Sequence, residues 1–215
     1  MIELVYMSTQ NTSYPEVYLH AQMHFEANDP VMARLMGEVG ELNFEPGGDL
    51  FEALVTSIIS QVVSTAAADT VKRRLLAHTE NLISPEVLYK IDQETFRSFG
   101  IGAQKYGYIS NLAKEFLQRP DHFEGFSEMS DAEVLARLTS LKGIGKWTAQ
   151  MVLIFNLGRV DIFAPDDLAL RNATIQHYGL AEEISRKDLE KHAEIWLPYR
   201  SIASVYLWNS IRKWT

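Results

Sequence analysis

A short glycine-containing turn between two predicted helices has the residue types of a phosphate-binding site. Residues 138–149 read Leu-Thr-Ser-Leu-Lys-Gly-Ile-Gly-Lys-Trp-Thr-Ala, in which one helix ends and the next begins directly after Gly145. We expect Gly143 and Gly145 to permit a left-handed backbone and to keep side chains out of the way of a ligand. The helix N-terminus adds unpaired N–H groups and a positive dipole end, and Lys142 and Lys146 add charge. Taken by itself, the pattern also fits an ordinary helix corner that ends in glycine.

A pair of adjacent carboxylates follows this turn about twenty residues later. The sequence Pro165-Asp166-Asp167 precedes a predicted helix that runs to Tyr178. An Asp in front of a helix is most simply its N-cap, and we assign that role to Asp166. By itself, the Pro-Asp-Asp pattern marks a helix start.

The elements that must position these residues are predicted to be helices throughout. N-cap and proline signals recur along the chain, at Asp29-Pro30, Asp49, Ser84-Pro85, Asp92 and Ser130. Apolar residues follow these signals at helical spacing, and no segment shows the two-residue alternation of hairpin strands. The sequence therefore predicts an all-α protein of ten or more short helices with tight connections.

Composition excludes several kinds of site and leaves room for a local basic surface. The 215 residues include no cysteine, which excludes disulfides, a thiol nucleophile, a thiolate zinc site and an iron–sulfur cluster. The formal net charge is −8, but residues 1–50, with one basic and eight acidic side chains, carry −7 of it. Residues 141–160 hold three basic side chains and no acidic one. A positive face is therefore compatible with the acidic total.

Several segments taken together resemble the helix-hairpin-helix (HhH-GPD) DNA glycosylase superfamily. The turn at 138–149 and the Pro-Asp-Asp sequence carry the superfamily pattern. Further segments are similar to its 3-methyladenine DNA glycosylase II (AlkA-type) branch: Ser57-Ile58-Ile59-Ser60-Gln61, Gly100-Ile101 followed by Lys105, and Trp196-Leu197-Pro198-Tyr199-Arg200-Ser201. The resemblance covers roughly residues 28–213. It is to the compact form without the amino-terminal β-rich domain, for which this chain has no room.

The resemblance implies an architecture of two helical lobes with the active-site cleft between them. We expect a central lobe over residues 45–159 that ends in the helix-hairpin-helix motif at about 131–157. Residues 1–44 together with 160–215 would form the second lobe.

The implied activity is that of a monofunctional DNA glycosylase of base excision repair. Such an enzyme flips alkylated purines out of double-stranded DNA and excises them hydrolytically, leaving an abasic site. We expect 3-methyladenine and 7-methylguanine as substrates ahead of hypoxanthine and ethenoadenine, since a cationic base leaves without protonation. Bifunctional relatives have a lysine at the position of Trp147, and an indole cannot form a Schiff base.

Two other functions remain open at this point. One is a non-catalytic helix-hairpin-helix module that binds DNA damage, which a degenerate aspartate would favour. The other is a glycosylase for deaminated purines or mismatched pyrimidines, because the shape of the pocket sets the selectivity.

The resemblance also implies roles for individual residues. Asp167 matches the catalytic aspartate, which would stabilise an oxocarbenium-like sugar or orient a water molecule. Trp147 and Trp208 match aromatic residues whose ring faces would hold a cationic base. The remaining residues expected in the base pocket are Ser57, Gln61 and Tyr199. Those expected to bind DNA phosphates are Gly143, Gly145, Lys142, Lys146, Thr148, Lys105 and Arg200.

The side chain that enters the vacated space in the duplex is not evident from the sequence. The branch often carries it around Gly102 or Ala103, which are small here, so Gln61 and Val63 are the candidates for this wedge. No cofactor is expected, apart from a Na⁺ or K⁺ ion that the backbone carbonyls of Leu141 and Ile144 would hold when DNA is bound.

The sequence also predicts where such a protein works. No apolar run approaches the roughly 18 residues of a membrane span, and the start, Met1-Ile2-Glu3-Leu4, lacks the features of a signal peptide. We expect a soluble monomer without a membrane partner, cytoplasmic at the nucleoid in a bacterium or nuclear in a eukaryote.

Overall fold

The computed structural model describes residues 14–42, 45–61 and 63–212. Within these ranges it contains helices and connections and no strand, which confirms the all-α prediction. The α-helices are α1 (Tyr14–Asn28), α2 (Pro30–Val39), α3 (Leu50–Ser60), α4 (Thr65–His78), α5 (Pro85–Leu88), α6 (Gln93–Phe99), α7 (Ala103–Gln118), α8 (Asp131–Thr139), α9 (Lys146–Phe155), α10 (Leu168–Tyr178), α11 (Arg186–His192) and α12 (Arg200–Arg212). Short 3₁₀ turns cover Pro120–Phe123, Phe126–Glu128 and Ala193–Trp196.

The helices form two compact units. The central unit is Pro46–Leu157 and contains α3 to α9. The second unit combines the described residues up to Glu45 with those from Gly158 onward, and it contains α1, α2 and α10 to α12. The active-site cleft expected between two lobes stays a prediction.

Polar side chains start the helices where the sequence signals predict. Asp29 caps α2 by accepting hydrogen bonds from the N–H groups of Val31 and Met32, both at 3.0 Å. Asp49, Ser84 and Asp92 cap α3, α5 and α6 in the same manner. Ser130 and Glu133 form a reciprocal capping box at the start of α8. Each cap satisfies N–H groups that the helix itself leaves unpaired.

Helix α9 is the centre of the central unit, because its residues from Thr148 to Ile154 are all buried. It packs against α3, whose apolar face is buried as well. Helix α3 also contacts α7, and the rings of Phe51 and Phe116 meet there edge to face at 5.0 Å. The turn before α9 is therefore attached to the most buried helix of its unit.

A buried carboxylate joins distant parts of the second unit. Asp29 is 3% exposed, and its Oδ2 accepts hydrogen bonds from the hydroxyl of Tyr178 at 2.5 Å and from the indole N–H of Trp196 at 3.0 Å. A buried charge requires such donors. Burial and the neighbouring carboxylate raise the pKa of Tyr178, which therefore stays a neutral donor. The start of α2 is thereby fixed to the end of α10.

Candidate functional site

The turn between α8 and α9 is a tight hairpin with one left-handed residue. The carbonyl of Leu141 accepts a hydrogen bond from the N–H of Ile144 at 3.1 Å. Gly143 has a φ of +91°, whereas Gly145 has a φ of −90°. The turn therefore uses the left-handed freedom of glycine at Gly143 and not at Gly145, where the chain has already returned to an extended conformation that caps α9.

The ring of Tyr108 on α7 lies directly against Gly143. A Cβ atom at Gly143 would come within 2.3 Å of Cγ of Tyr108, while a Cβ at Gly145 would meet nothing within 4 Å. The amide of Gln104 donates a hydrogen bond to the Tyr108 hydroxyl at 2.7 Å. Gly143 is therefore required by this close approach as well as by its backbone angle, and Gly145 leaves the start of α9 open.

The N-terminus of α9 has the properties of an anion site. Its N-cap, Gly145, provides no side-chain cap, and the N–H of Ala149 donates to the Gly145 carbonyl at 3.0 Å. The N–H groups that come before Ala149 in the first turn have no carbonyl acceptor within the helix, and they point out of the helix end. Lys142 and Lys146 are exposed beside it. Thr148 is only 2% exposed, so its hydroxyl is not placed to bind a phosphate.

Two residues expected to contact DNA instead support the hairpin. The Gln61 amide donates hydrogen bonds to the carbonyl of Gly143 at 3.0 Å and to Oγ1 of Thr148 at 3.4 Å. The Lys105 ammonium donates to the carbonyls of Ile59 at 2.6 Å and Gln61 at 2.8 Å. Burial lowers the pKa of Lys105. The last carbonyls of a helix need donors. The Lys105 ammonium, which we expected to face phosphate, therefore binds the carbonyls at the end of α3 instead.

A cavity of about 710 Å³ lies beside the hairpin, and Trp147 is half-buried in its wall. The lining residues come from the end of α3, from α7 and from the hairpin: Gln61, Gln104, Lys105, Tyr108, Gly143, Ile144, Gly145, Trp147 and Thr148. Ser57 lines another cavity of about 360 Å³ with Met151 and Phe155. The structure thus brings Trp147 and Gln61 together and leaves Ser57 apart from them.

The wedge candidates differ in their surroundings. The side chain of Gln61 is bound to the hairpin, whereas Val63 is 46% exposed. Gly102 and Ala103 are exposed at the start of α7. The wedge assignment stays a prediction.

Asp167 is the N-cap of α10. Its Oδ1 accepts hydrogen bonds from the N–H of Leu170 at 2.7 Å and from the indole N–H of Trp208 on α12 at 3.0 Å. Asp166 is exposed, and its Oδ2 pairs with Arg186 at 3.0 Å. The prediction that Asp166 caps the helix is therefore wrong, because α10 begins at Leu168 and the residue before it is Asp167.

The contacts of Asp167 make it a preorganised carboxylate. It is half-buried, and its donors come from the start of α10 and from the side of α12. A carboxylate that is held in this manner can stabilise positive charge that develops next to it without first reorienting. The structure therefore brings together Asp167 and Trp208, as the resemblance implies.

Tyr199 and Arg200 have interior contacts in the second unit. The Tyr199 ring is 7% exposed and packs edge to face against Phe25 and His24, and burial raises its pKa. The Arg200 guanidinium forms a two-point ion pair with Asp161, at 2.7 Å from Nε and 3.0 Å from Nη2. These placements favour packing for Tyr199 and an internal ion pair for Arg200 over contacts with a base or a phosphate.

Tyr108 and Gln104 are site residues that the sequence reasoning missed. Gly143 signals that some group approaches the backbone closely, but nothing in the spacing identifies an aromatic ring from α7 as that group. The contact joins residues 35 positions apart, so only the fold reveals it.

The described residues were compared with two further kinds of feature, a metal-ligating cluster and a membrane-spanning helix. No group of three or more His, Asp or Glu side chains in these ranges could hold a metal ion. None of the described helices is long and apolar enough to cross a membrane.

Comparisons with known proteins show which sequences this chain resembles. The sequence model of the HhH-GPD superfamily of base excision DNA repair proteins matches residues 55–198. The chain is 31% identical over 199 residues to DNA-3-methyladenine glycosylase 1 of Schizosaccharomyces pombe, covering 88% of this chain and 86% of that protein.

Two solved structures are similar to most of this chain. A 3-methyladenine DNA glycosylase of S. pombe in complex with abasic DNA gives a TM-score of 0.80 at 30% identity, covering 88% of this chain and 95% of that one. A DNA-3-methyladenine glycosidase of Bacillus halodurans gives 0.71 at 30% identity, with 86% and 85% covered.

Proposed function

The chain belongs to the HhH-GPD superfamily of base excision DNA repair proteins, and from this premise we propose which bases it removes and how. It is a DNA-binding glycosylase, a hydrolase that cleaves N-glycosyl bonds. We propose that its preferred substrates are alkylated purines in double-stranded DNA, first 3-methyladenine and 7-methylguanine, and that hypoxanthine and ethenoadenine are secondary substrates. The products would be the free base and an abasic site.

The observation that carries this proposal is the pairing of Asp167 with Trp208. When the bond between C1′ and a purine nitrogen breaks, the sugar becomes oxocarbenium-like, and a fixed carboxylate stabilises it or orients the attacking water. The indole that holds Oδ1 of Asp167 also supplies an aromatic face, which favours a cationic base. A base that already carries positive charge needs no general acid to leave. This pair therefore suits alkylated purines.

The hairpin of the central unit would grip the DNA backbone while the nucleotide is flipped. The N–H groups at the start of α9 and the exposed Lys142 and Lys146 supply the donors and the charge. We propose that a monovalent cation binds at the same turn, where the Leu141 carbonyl accepts one bond from Ile144 and has a second lone pair to offer. The carbonyls of Leu141 and Ile144 would hold that ion, which would supply positive charge toward a phosphate.

The residue at the start of α9 favours hydrolysis over strand cleavage. Trp147 has no amine and cannot form a Schiff base with C1′. Lys146 lies one residue earlier, about 100° away around the helix, where it is exposed. We therefore propose a monofunctional enzyme that leaves the DNA strand intact.

The decisive experiment measures release of free base from methylated duplex DNA by the wild type and by Asp167→Asn. Asn caps helices about as well as Asp, so the fold and duplex binding are expected to persist. Base release is expected to fall about a thousandfold or more, because the developing cation loses its counter-charge. Abasic sites are scored by alkali cleavage.

Asp166→Asn is the matched control, because it removes a neighbouring exposed carboxylate that pairs with Arg186. It is expected to keep wild-type base release. Equal activity of Asp167→Asn and the wild type would remove the catalytic role from Asp167. Equal loss in both variants would point to a general electrostatic effect.

A non-catalytic module that binds DNA damage is the second candidate, and one observation favours it. Asp167 caps α10, so a structural role alone would explain why an Asp stands there. The same assay separates the two functions, since wild-type protein that binds damaged duplex but releases no base from any alkylated substrate would be such a module.

A further inference from the structure

The side chain of Gln61 reaches the hairpin from the end of α3. Its amide nitrogen donates to the carbonyl of Gly143 at 3.0 Å and to Oγ1 of Thr148 at 3.4 Å, across 82 and 87 positions of the chain. A glutamine amide has two N–H donors, so both are used within the central unit. While these contacts persist, Gln61 has no N–H group left for a DNA base.

A lysine of α7 holds the main chain of Gln61 in place. The Lys105 ammonium donates to the carbonyl of Gln61 at 2.8 Å and to that of Ile59 at 2.6 Å. Hydrogen bonds from a charged donor are about twice as strong as those between neutral groups. The end of α3 is therefore a fixed support from which the amide of Gln61 extends to the hairpin.

The peptide group between Gly143 and Ile144 is bonded on both sides. Its carbonyl accepts the hydrogen bond from Gln61, and its N–H donates to the carbonyl of Leu141 at 3.1 Å. In a trans peptide the C=O and the N–H point in opposite directions. The two bonds together therefore fix one orientation of this peptide plane.

Glycine is the residue next to which a peptide plane rotates most easily, because it populates left-handed and right-handed backbone conformations about equally. Gly143 is in the left-handed region, with a φ of +91°. Rotation of the peptide that follows it would break the bond between Ile144 and Leu141. It would also turn a carbonyl oxygen away from α3, where a phosphate requires N–H donors.

We propose that Gln61 is a positioning residue for DNA binding, which keeps the Gly143 carbonyl turned toward α3 and the hairpin in its phosphate-binding conformation. The inference rests on the proposed grip of the hairpin on the DNA backbone. Gln61 itself touches no phosphate in this role. Because the turn is fixed when the protein folds, binding does not have to order it.

The first test measures the affinity of Gln61→Met for an abasic duplex by fluorescence anisotropy. Met has a similar length and no N–H donor, so the Gly143 carbonyl loses its partner. We expect the affinity to fall about fivefold. The maximal single-turnover rate of base release is expected to stay unchanged, because the hairpin acts before the glycosidic bond breaks. A merely structural role would lower stability in urea without this split between affinity and rate.

Two further variants define the cause. Gln61→Glu keeps the length of the side chain but replaces its donors by a carboxylate, so we expect the affinity to fall further than in Gln61→Met. Gln118→Met is the matched control, since Gln118 is an exposed glutamine at the other end of α7, about 15 Å along the helix from Tyr108. It is expected to bind the duplex as the wild type does. Urea denaturation confirms that each variant is folded.

Hydrogen exchange of the Ile144 amide provides a readout that requires no DNA. In Gln61→Met the peptide is held on one side only, so we expect this amide to exchange about fivefold faster or more. The amides of the buried residues of α9 are expected to keep their wild-type rates. The comparison detects a local change of the turn rather than a loss of the fold.

Three results would overturn the proposal: a Gln61→Met affinity equal to that of the wild type, equal weakening in Gln118→Met, and an Ile144 exchange rate that Gln61→Met leaves unchanged. Wild-type protein that binds the duplex but releases no base would instead contradict the proposed glycosylase activity. Because the affinity and exchange measurements require no catalysis, the two failures are distinguishable.

Discussion

Trp208 and Leu170 donate hydrogen bonds to the same carboxylate oxygen of Asp167, at 3.0 Å and 2.7 Å. One donor is a side chain of α12, and the other is the backbone at the start of α10. The contact joins residues 41 positions apart, so the orientation of the carboxylate is a property of the second unit as a whole. The proposed pocket aromatic and the proposed catalytic carboxylate are thereby joined by a direct hydrogen bond.

Trp208→Phe tests whether the indole N–H positions Asp167. Phe retains an aromatic face but removes the donor, and a hydrogen bond to a charged group contributes about 1.5–3 kcal/mol. We expect the single-turnover rate of base release to fall about tenfold, with DNA affinity little changed. A variant with an unchanged rate and lower stability in urea would give the indole a structural role only.

Gly143→Ala tests the contact between Tyr108 and the hairpin. The new methyl group would overlap the Tyr108 ring at a φ of +91°, so we expect a loss of about 2 kcal/mol or more in unfolding free energy. The measurement is urea denaturation. In the double variant with Tyr108→Ala, part of the loss is expected to be recovered.

Gly145→Ala is the control for that substitution. It has an ordinary φ of −90° and open space around the added atom. We expect it to cost less than about 1 kcal/mol, the usual effect of a weaker N-cap. Equal destabilisation by the two alanines would contradict the interlock between Gly143 and Tyr108.

Lys142 and Lys146 are expected to account for part of the salt dependence of DNA binding. For each lysine that contacts a phosphate, replacement by Gln should reduce the slope of log affinity against log salt by about 0.9. Fluorescence anisotropy with an abasic duplex between about 50 and 200 mM salt measures that slope. A slope unchanged in the double variant would remove both lysines from the phosphate contacts.

Lys105→Met should behave differently from the other two lysine variants. Lys105 bonds the carbonyls of Ile59 and Gln61, so its loss is expected to lower stability by about 2 kcal/mol and leave the salt slope unchanged. Urea denaturation together with the anisotropy series distinguishes the two effects. A reduced slope with full stability would restore the phosphate role expected from the sequence.

The wild type is expected to produce no nick in methylated DNA without alkali, because Trp147 supplies no amine. Borohydride reduction during the reaction should trap no protein–DNA adduct, while a bifunctional glycosylase run in parallel should give one. A trapped adduct that disappears in Lys146→Gln would identify that lysine as a nucleophile and overturn the monofunctional mechanism.

Local signals in the sequence predict the helices and the hairpin well. The caps at Asp29, Asp49 and Ser130 and the turn at Gly143 depend on neighbours within four residues, so spacing is sufficient to find them. The choice between Asp166 and Asp167 fails because a helix boundary is uncertain by more than one residue. Only the position of Leu168 as the first helical residue decides it.

Long-range contacts explain the remaining differences. The sequence predicts that Lys105 and Arg200 bind DNA phosphates. In the fold, the Lys105 ammonium donates to a carbonyl at the end of α3, and the Arg200 guanidinium pairs with the carboxylate of Asp161. The sequence predicts Gln61 in the base pocket, whereas in the fold its amide donates a hydrogen bond to the carbonyl of Gly143, 82 positions away. Residue type predicts the donors in each case, whereas the acceptor depends on packing that spacing does not specify.

The capping role of Asp167 has a consequence for how the site responds to temperature. Because the proposed catalytic carboxylate is also the N-cap of α10, it is oriented as soon as that helix forms, without a closing motion or a bound substrate. Fraying of the first turn of α10 would release the carboxylate before the remaining helices melt. Heat inactivation should therefore precede global unfolding, and the integrity of a single helical turn would limit the working range of the enzyme.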